Sequence, residues 1–324
     1  MTLILSDAEV REACDMTVLI EVIEQGLRIE AAGGVQIVPR INFGIDRGFF
    51  RLMPAVIEEL DVMGFKAFDA KQPHARYLIA LFRCSTGELD CLLDGAYLTA
   101  ARTGATTGVA TRAMTLEEDC REVGVIGSGL EALTNLEGVA AVRPVERIKV
   151  FSPHPEKREK FAERARERLG VIATSVDSPS EAADAACVIA ATNTGVGGPV
   201  ALEGAWLPAD SHLNTIGATG PKLREADPAT FERAETIVLD TEHAPTECGD
   251  ILAAQQAGLW QEQKVRTLTD LIGTDERFKR GGGLTVFKSV GTAVQDLTAA
   301  LAVSRVAKER GIGTKTELLT PRTF

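Results

Sequence analysis

The chain lacks any apolar run near the ~20 residues a membrane-spanning helix needs, and Met1-Thr2-Leu3 opens no secretory signal. A cytoplasmic protein is the expectation, with no membrane as partner. It is also short of positive charge. Against 46 Asp and Glu stand 35 Lys and Arg, giving a net charge of −11 and a pI near 5.0. That balance argues against nucleic acid or an anionic membrane as a ligand. Any anionic ligand must then be held by a local cationic pocket working against the field of the whole molecule. Cysteine is sparse and unpatterned: Cys14, Cys84, Cys91, Cys120, Cys187 and Cys248 form no CxxC pair. His74, His154, His212 and His243 lie far apart, so no metal site is expected, and the thiols read as reduced. Long linkers, low-complexity tracts and internal repeats are missing as well.

What remains is the composition of an ordinary globular enzyme, 45% hydrophobic and 25% charged with 30 glycines. Its 324 residues exceed what one core usually supports, so two domains are expected. Residues 1–30 read as helical: Ser6 or Asp7 can cap a first helix, and Val18, Leu19, Val22, Ile23 and Leu27 recur at helical spacing. From Val35 to Leu93 the pattern is short strands (VQIVPRINFG, FFRLMPAV, MGFKAFDA, RYLIALFRC, LDCLLDG), with Ser85-Thr86-Gly87 as a hairpin signal. Residues 96–114 form a small-residue helix able to pack closely on another element. Thr115-Leu-Glu-Glu118 matches a capping box but stands too close to the next strand to start a helix. From EVGVIG to about residue 290 strands alternate with helices, which argues for a parallel sheet with crossover helices. A last amphipathic helix runs from Ser289 to Lys308.

Two local features carry chemistry. VGVIGSGLEA (123–132) places Gly127, Ser128, Gly129, Leu130 and Ala132 directly after an apolar strand and at a helix start. The first glycine permits the tight turn, the second lets backbone approach a pyrophosphate, and the small third residue packs helix on strand. The helix N-terminus offers free N–H groups to phosphate. At the end of the next strand, where an acid would bind the adenine-ribose 2′-hydroxyl, stands Ser152, with His154, Lys157 and Arg158 nearby. NADPH is therefore admitted and slightly favoured, and NADH is not excluded. The second feature is Lys66 in the apolar stretch VMGFKAFDA. It is either a costly buried ammonium or a residue on the wet face of an edge strand, its stem covering apolar surface. The stretch alone leaves both open.

With these pieces placed, the chain resembles the ornithine cyclodeaminase/mu-crystallin family over nearly its full length. The matching stretches are VPR (38–40), LMPA (52–55), GFK (64–66), LLDGAYLTAARTGA (92–105), GVIGSGLEA, NTIGATGPKLREAD (214–227), ECGD (247–250) and VFKSVGTAVQD (286–296). The resemblance implies an α/β fold: a Rossmann NAD(P)-binding domain, expected over 115–296, and an α+β substrate and dimerisation domain from both chain ends, expected over 1–114 completed by 297–324. A homodimer follows from it. The family's members include cyclodeaminases, alanine dehydrogenases, cyclic-imine reductases and a crystallin that binds nicotinamide cofactor. By the same resemblance Lys66 faces the substrate beside the nicotinamide, and Arg40 and Arg102 bind its carboxylate, a task suited to a permanently charged planar fork. Thr103, Lys288 and Ser289 fall where the family contacts cofactor. Thr192, after a Rossmann strand, either lines the dinucleotide or caps the strand end.

Two departures inform the substrate. Where ornithine cyclodeaminases carry a catalytic aspartate this chain has Thr219, and where they carry a glutamate for the distal amine it has Arg51. Threonine is no carboxylate acid/base, and arginine repels a distal ammonium. The expected function is NAD(P)H-dependent reduction of a small α-imino acid to an amino acid, or the reverse oxidation. Lys66 and Thr219 would serve the reacting centre, and Arg40, Arg51 and Arg102 the carboxylates. A second carboxylate opposite Arg51 sharpens this to iminosuccinate reduced to aspartate. A cyclodeaminase releasing ammonia and a non-catalytic NADPH-binding protein are the alternatives.

Overall fold

A computed structural model describes residues 1–71, 74–116, 118–274 and 282–320, so Glu117 of the Thr115–Glu118 stretch lies outside it. Contacts divide the chain into two units, Met1–Arg102 with Thr292–Phe324, and Thr103–Gly291. The first cut falls inside the helix Ala96–Met114 and the second just before the helix Ala293–Arg310, where the sequence suggested 114/115 and 296/297.

The first unit is a mixed sheet backed by helices. Its strands are β1 (Thr2–Leu5), β2 (Gln36–Ile37), β3 (Ile41–Ile45), β4 (Gly48–Ile57), β5 (Val62–Asp69), β6 (Arg76–Phe82) and β7 (Leu89–Asp94). β16 (Thr314–Thr316) joins from the far end of the chain. They lie in the order β16-β1-β7-β6-β5-β4-β2, with β3 also paired to β4. All pairs are antiparallel except β1 with β7. Ser6 caps the helix Asp7–Ala13 in a reciprocal box with Glu9, as the sequence suggested, and Asp15 caps Met16–Ala31. The strand β1 before them was not anticipated.

Alternation along the strands gives this sheet two unlike faces. Arg51, Met53, Ala55 and Ile57 share one face of β4 and are buried, and their partners on β5 include Phe68 and Lys66. The helix Ala293–Arg310 covers that face: a Cβ on Gly64 would meet Leu297 at 2.9 Å as well as the Ala80 carbonyl oxygen at 2.0 Å. The opposite face carries Ile41, Phe43, Ile45, Phe50 and Leu78, each 39–55% exposed.

The second unit is a parallel sheet. In chain order its strands are β8 (Glu122–Ile126), β9 (Arg147–Phe151), β10 (Ile172–Ser175), β11 (Cys187–Ala190), β12 (His212–Thr215), β13 (Thr236–Leu239), β14 (Val265–Thr267) and β15 (Thr285–Lys288). They lie in the order β10-β9-β8-β11-β12-β15-β13-β14, every pair parallel. The inner strands β11, β12 and β15 are buried on both faces, as a sheet flanked by helices requires, while the edge strand β10 leaves Ile172 66% exposed. The fold class is the one expected: a Rossmann-type α/β unit and an α+β unit built from both chain ends.

The small-residue helix Ala96–Met114 makes a close backbone crossing within this second unit. A Cβ on Gly104 would lie 2.1 Å from the Thr134 carbonyl oxygen, and one on Gly138 would lie 1.9 Å from the Gly104 carbonyl oxygen. Backbone on both sides leaves nothing flexible to yield. Gly138→Ala should therefore destabilise the protein by about 1–3 kcal/mol despite its gain in helix propensity. A lowered midpoint in thermal or urea unfolding is the expected reading; a raised one would show that the two helices can separate at no cost.

Candidate active site

Lys66 settles its own ambiguity. β5 lies between β4 and β6, so the edge-strand reading is wrong, and the residue is 2% exposed. Its ammonium lies 2.8 Å from Oδ1 and 2.7 Å from Oδ2 of Asp296, which is completely buried in the first turn of the helix Ala293–Arg310. Thr292 caps that helix in a reciprocal box with Gln295, and its N-terminal dipole favours a negative charge there. Arg102 closes the arrangement from the helix Ala96–Met114: its Nε lies 2.8 Å from Asp296 Oδ1, and its Nη1 donates to Gln295 Oε1 at 2.9 Å.

Charge in this cluster is lopsided. Burial pulls the Lys66 pKa from 10.5 to about 8; Asp296 opposes the fall, and Arg102 and Arg40 deepen it. Arg40, half-buried ahead of β3, is thus within electrostatic reach of the ammonium. Arg51 reaches the same neighbourhood on the same sheet face. Its guanidinium carbon lies 4.9 Å from the Phe49 ring centroid and 5.4 Å from that of Phe68, and Lys66 Nζ lies 5.7 Å from Phe68. Asn42 Oδ1 accepts from Arg51 Nε at 2.7 Å. The expected set Arg40, Arg51, Lys66 and Arg102 thus assembles within the first unit. Asp296, Gln295 and Asn42 are members the sequence did not single out.

The remaining expected residues lie in the second unit, mostly at the carboxyl ends of its strands. Gly127 follows β8 with φ +120°, and a Cβ there would come 2.3 Å from the Ala191 carbonyl oxygen. Gly129 caps the helix Leu130–Ala140 with no side chain on the first-turn N–H groups and open space where a Cβ would project. That is a cradle for a pyrophosphate, so these residues fit a dinucleotide. Ser128 is half-buried, Leu130 is 38% exposed and Ala132 is buried against the sheet. Ser152 directly follows β9 in a buried position, its carbonyl accepting from Arg158 Nη1 at 3.4 Å while Arg158 pairs with Asp177. Thr103 is buried and Thr219 half-buried.

One buried carboxylate organises the loops after β11 and β12. Glu225 Oε1 accepts from the Thr192 N–H (2.6 Å) and hydroxyl (2.8 Å). Its Oε2 accepts from the Thr215 hydroxyl (2.8 Å) and the N–H groups of Ile216 (3.0 Å) and Gly217 (2.8 Å). Asp250 Oδ1 in turn accepts the Glu225 N–H at 2.7 Å. Burial pushes the Glu225 pKa up while Lys288 pulls it down. Lys288 is wholly enclosed, its ammonium 3.4 Å from Asp250 Oδ2 and 3.5 Å from the Thr215 hydroxyl. Burial works against its charge, yet Cys248, Asp250 and Glu225 raise its pKa. From there Lys288 supports the loop floor from inside. Ser289 is likewise turned inward, donating to Asp240 Oδ2 at 2.7 Å.

Both Glu225 oxygens face only donors, so an amide at this position must press its NH₂ against N–H or O–H groups. Glu225→Gln, although isosteric, should cost about 3 kcal/mol through unpaired buried donors and a disturbed charge balance with Lys288. A melting temperature equal to wild type, measured without any ligand, would contradict this account of the loops.

Known proteins similar to the chain are consistent with this geometry. It is 30% identical to Delta(1)-pyrroline-2-carboxylate reductase of Bacillus cereus (strain ATCC 10987 / NRS 248), across 97% of this chain and 99% of that protein. It is 28% identical to iminosuccinate reductase of Paracoccus denitrificans, across 74% of this chain and 73% of that protein. Among solved structures, Thermococcus litoralis Delta(1)-pyrroline-2-carboxylate reductase in complex with NADH and L-proline superposes with a TM-score of 0.90 at 29% identity, covering 97% of this chain and 100% of that one. The model of the ornithine cyclodeaminase/mu-crystallin family matches residues 1–311, and the chain belongs to that family.

Proposed function

We propose that the protein is an NAD(P)H-dependent oxidoreductase of C–N bonds that reduces a small α-imino acid to the amino acid, and that its substrate is a dicarboxylic imine, iminosuccinate, yielding aspartate. The observation that carries the substrate reading is the placement of Arg51. It lies on the same sheet face as Lys66, the two cations sharing the Phe68 ring. Lys66 and Arg102 both pair with Asp296, and Arg51 brings a further guanidinium to the same sheet face, a setting suited to an anionic ligand. A distal carboxylate complements these cations; a distal ammonium would be repelled by them.

In this reading Arg102 and Arg40 hold the α-carboxylate, Arg51 the distal carboxylate, and Thr219 helps to orient the substrate. Gly127 and Gly129 cradle the dinucleotide pyrophosphate, and Ser152 accepts either form of the adenine ribose. When bound, the cofactor supplies hydride to the imine carbon. Lys66 holds a proton at Nζ beside the imine nitrogen, and burial of the cluster keeps water from competing for it. Pyrroline-2-carboxylate, with a single carboxylate, leaves Arg51 without a ligand group to bind.

Truncating a buried cation that clamps a carboxylate costs ~2–5 kcal/mol, roughly 30- to 5,000-fold in kcat/KM. Arg51→Ala should lower kcat/KM by such a factor for oxaloacetate with ammonia, followed at 340 nm, while sparing pyruvate with ammonia. Equal losses on both would assign Arg51 to the fold or to the shared α-carboxylate site, and no loss on either would remove the dicarboxylate from the proposal.

A homodimer is part of the same proposal. The uncovered sheet face bearing Ile41, Phe43, Ile45, Phe50 and Leu78 is too apolar to be left to water, and a second copy would bury it. In light scattering at micromolar concentration the protein should have twice the mass of its 34.6 kDa chain, and Phe43→Glu should shift it toward monomer. A monomeric wild type would refute the assignment of this face.

A further inference from the structure

The pairing of Lys66 assigns a task to a residue outside the expected set. We propose that Asp296 is the positioning residue of the active site, holding the Lys66 ammonium and the Arg102 guanidinium on one carboxylate so that the proton donor and the substrate-carboxylate clamp stay in fixed register. The inference deepens the imine-reductase reading and rests on it for the roles of Lys66 and Arg102.

The geometry is specific. Lys66 Nζ spans both oxygens of Asp296 at 2.8 and 2.7 Å, and Arg102 Nε meets Oδ1 at 2.8 Å. The second Arg102 contact, to Gln295 Oε1, comes from the preceding residue of the same capped helical turn. Each cation is therefore tied to the helix start, not merely to the other. Asp296 is completely buried, so its charge acts through protein and not through water. The charged groups acting on Lys66 come from three directions: Asp296 from the final helix, Arg102 from the helix Ala96–Met114, and Arg40 from the segment before β3. Asp296 is the one that favours the ammonium; both arginines oppose it. With Asp296 neutral, the ammonium would face two repulsive neighbours in a dry site and lose its proton at lower pH. Gln295 offers the converse change. Its Nε2 is buried with no hydrogen-bond partner among the described residues, and a glutamate there keeps the cap while adding a second negative charge.

The test is the pH profile of kcat/KM for imine reduction by wild type, Asp296→Asn and Gln295→Glu. Activity that needs protonated Lys66 falls as pH rises through its pKa, so wild type should lose activity with a midpoint near pH 8. Asp296→Asn should move that limb at least one pH unit lower, and Gln295→Glu should move it higher. The ammonia–imine equilibrium is common to all three and cancels in the shift between them. NADH affinity, read by fluorescence titration, should change less than twofold in either variant. A limb unmoved in both variants, with activity scaled equally at every pH, would overturn the positioning role while leaving the reductase reading intact. Gln295→Glu decides alone should Asp296→Asn fail to fold. A readout without turnover is the pH at which succinate ceases to raise the melting temperature. If that pH shifts as described but no imine is reduced, the proposed reaction fails and the Asp296 inference stands; if it does not shift, the inference fails.

Discussion

The candidate site in the first unit is built around one buried carboxylate, Asp296, paired with two cations at once. Asp296 has no exposure, and two cations lie within 2.8 Å of it. Such an arrangement is expensive in isolation, because burying each ion costs several kcal/mol and one negative charge cannot compensate two positive ones. It persists because the sheet, the capped helix start and the Ala96–Met114 helix each deliver one member. Gly64 is part of that cost: without a Cβ it lets Leu297 of the final helix settle directly on β5, next to the strand position of Lys66.

The second unit uses the opposite device. There Glu225 and Asp250 lie beside the enclosed Lys288, Arg224 also approaches Asp250 at 3.7 Å, and backbone N–H groups converge on Glu225. Five donors on Glu225 fix the ends of β11 and β12, which is where a doubly wound parallel sheet binds its ligand. This carboxylate is satisfied by the protein itself and needs no ligand. Around Asp296 several cations converge on one sheet face instead, which is why we place substrate recognition there and scaffolding here.

How far the sequence revealed this depended on how local each signal was. The Gly127–Gly129 turn was legible because strand, turn and helix start are contiguous, and the φ of +120° at Gly127 is a local demand. The alternation of short apolar runs with polar helices likewise disclosed the parallel sheet. Lys66 was not decidable from VMGFKAFDA, since periodicity does not reveal whether a strand has one neighbour or two; β4 and β6 had to be placed first. Lys288 was expected at the cofactor from the family resemblance alone; its neighbours Asp250 and Glu225 are distant in sequence, and only the fold shows it enclosed with them. Asp296 did leave a trace: it is the single acid in the run AVQDLTAALAV, a charge on a helix otherwise buried along that stretch. A lone charge in an apolar helix signals a buried partner without naming it, and Lys66 lies 230 residues away.

The cations of the proposed site also bear on which imines would react there. An imine becomes electrophilic when its nitrogen is protonated, and a cationic pocket opposes that protonation. In the proposed reading the substrate's own negative charge relieves that opposition: the α-carboxylate meets Arg102 and Arg40, a distal carboxylate meets Arg51, and Lys66 stays paired with Asp296. A diamine such as ornithine would instead bring a cation beside the Arg51 guanidinium, which stands against Asn42 and two aromatic rings. In the proposed reading, discrimination between such substrates turns on charge: a bound dicarboxylate complements the cations around Lys66 and Arg51, and a diamine does not.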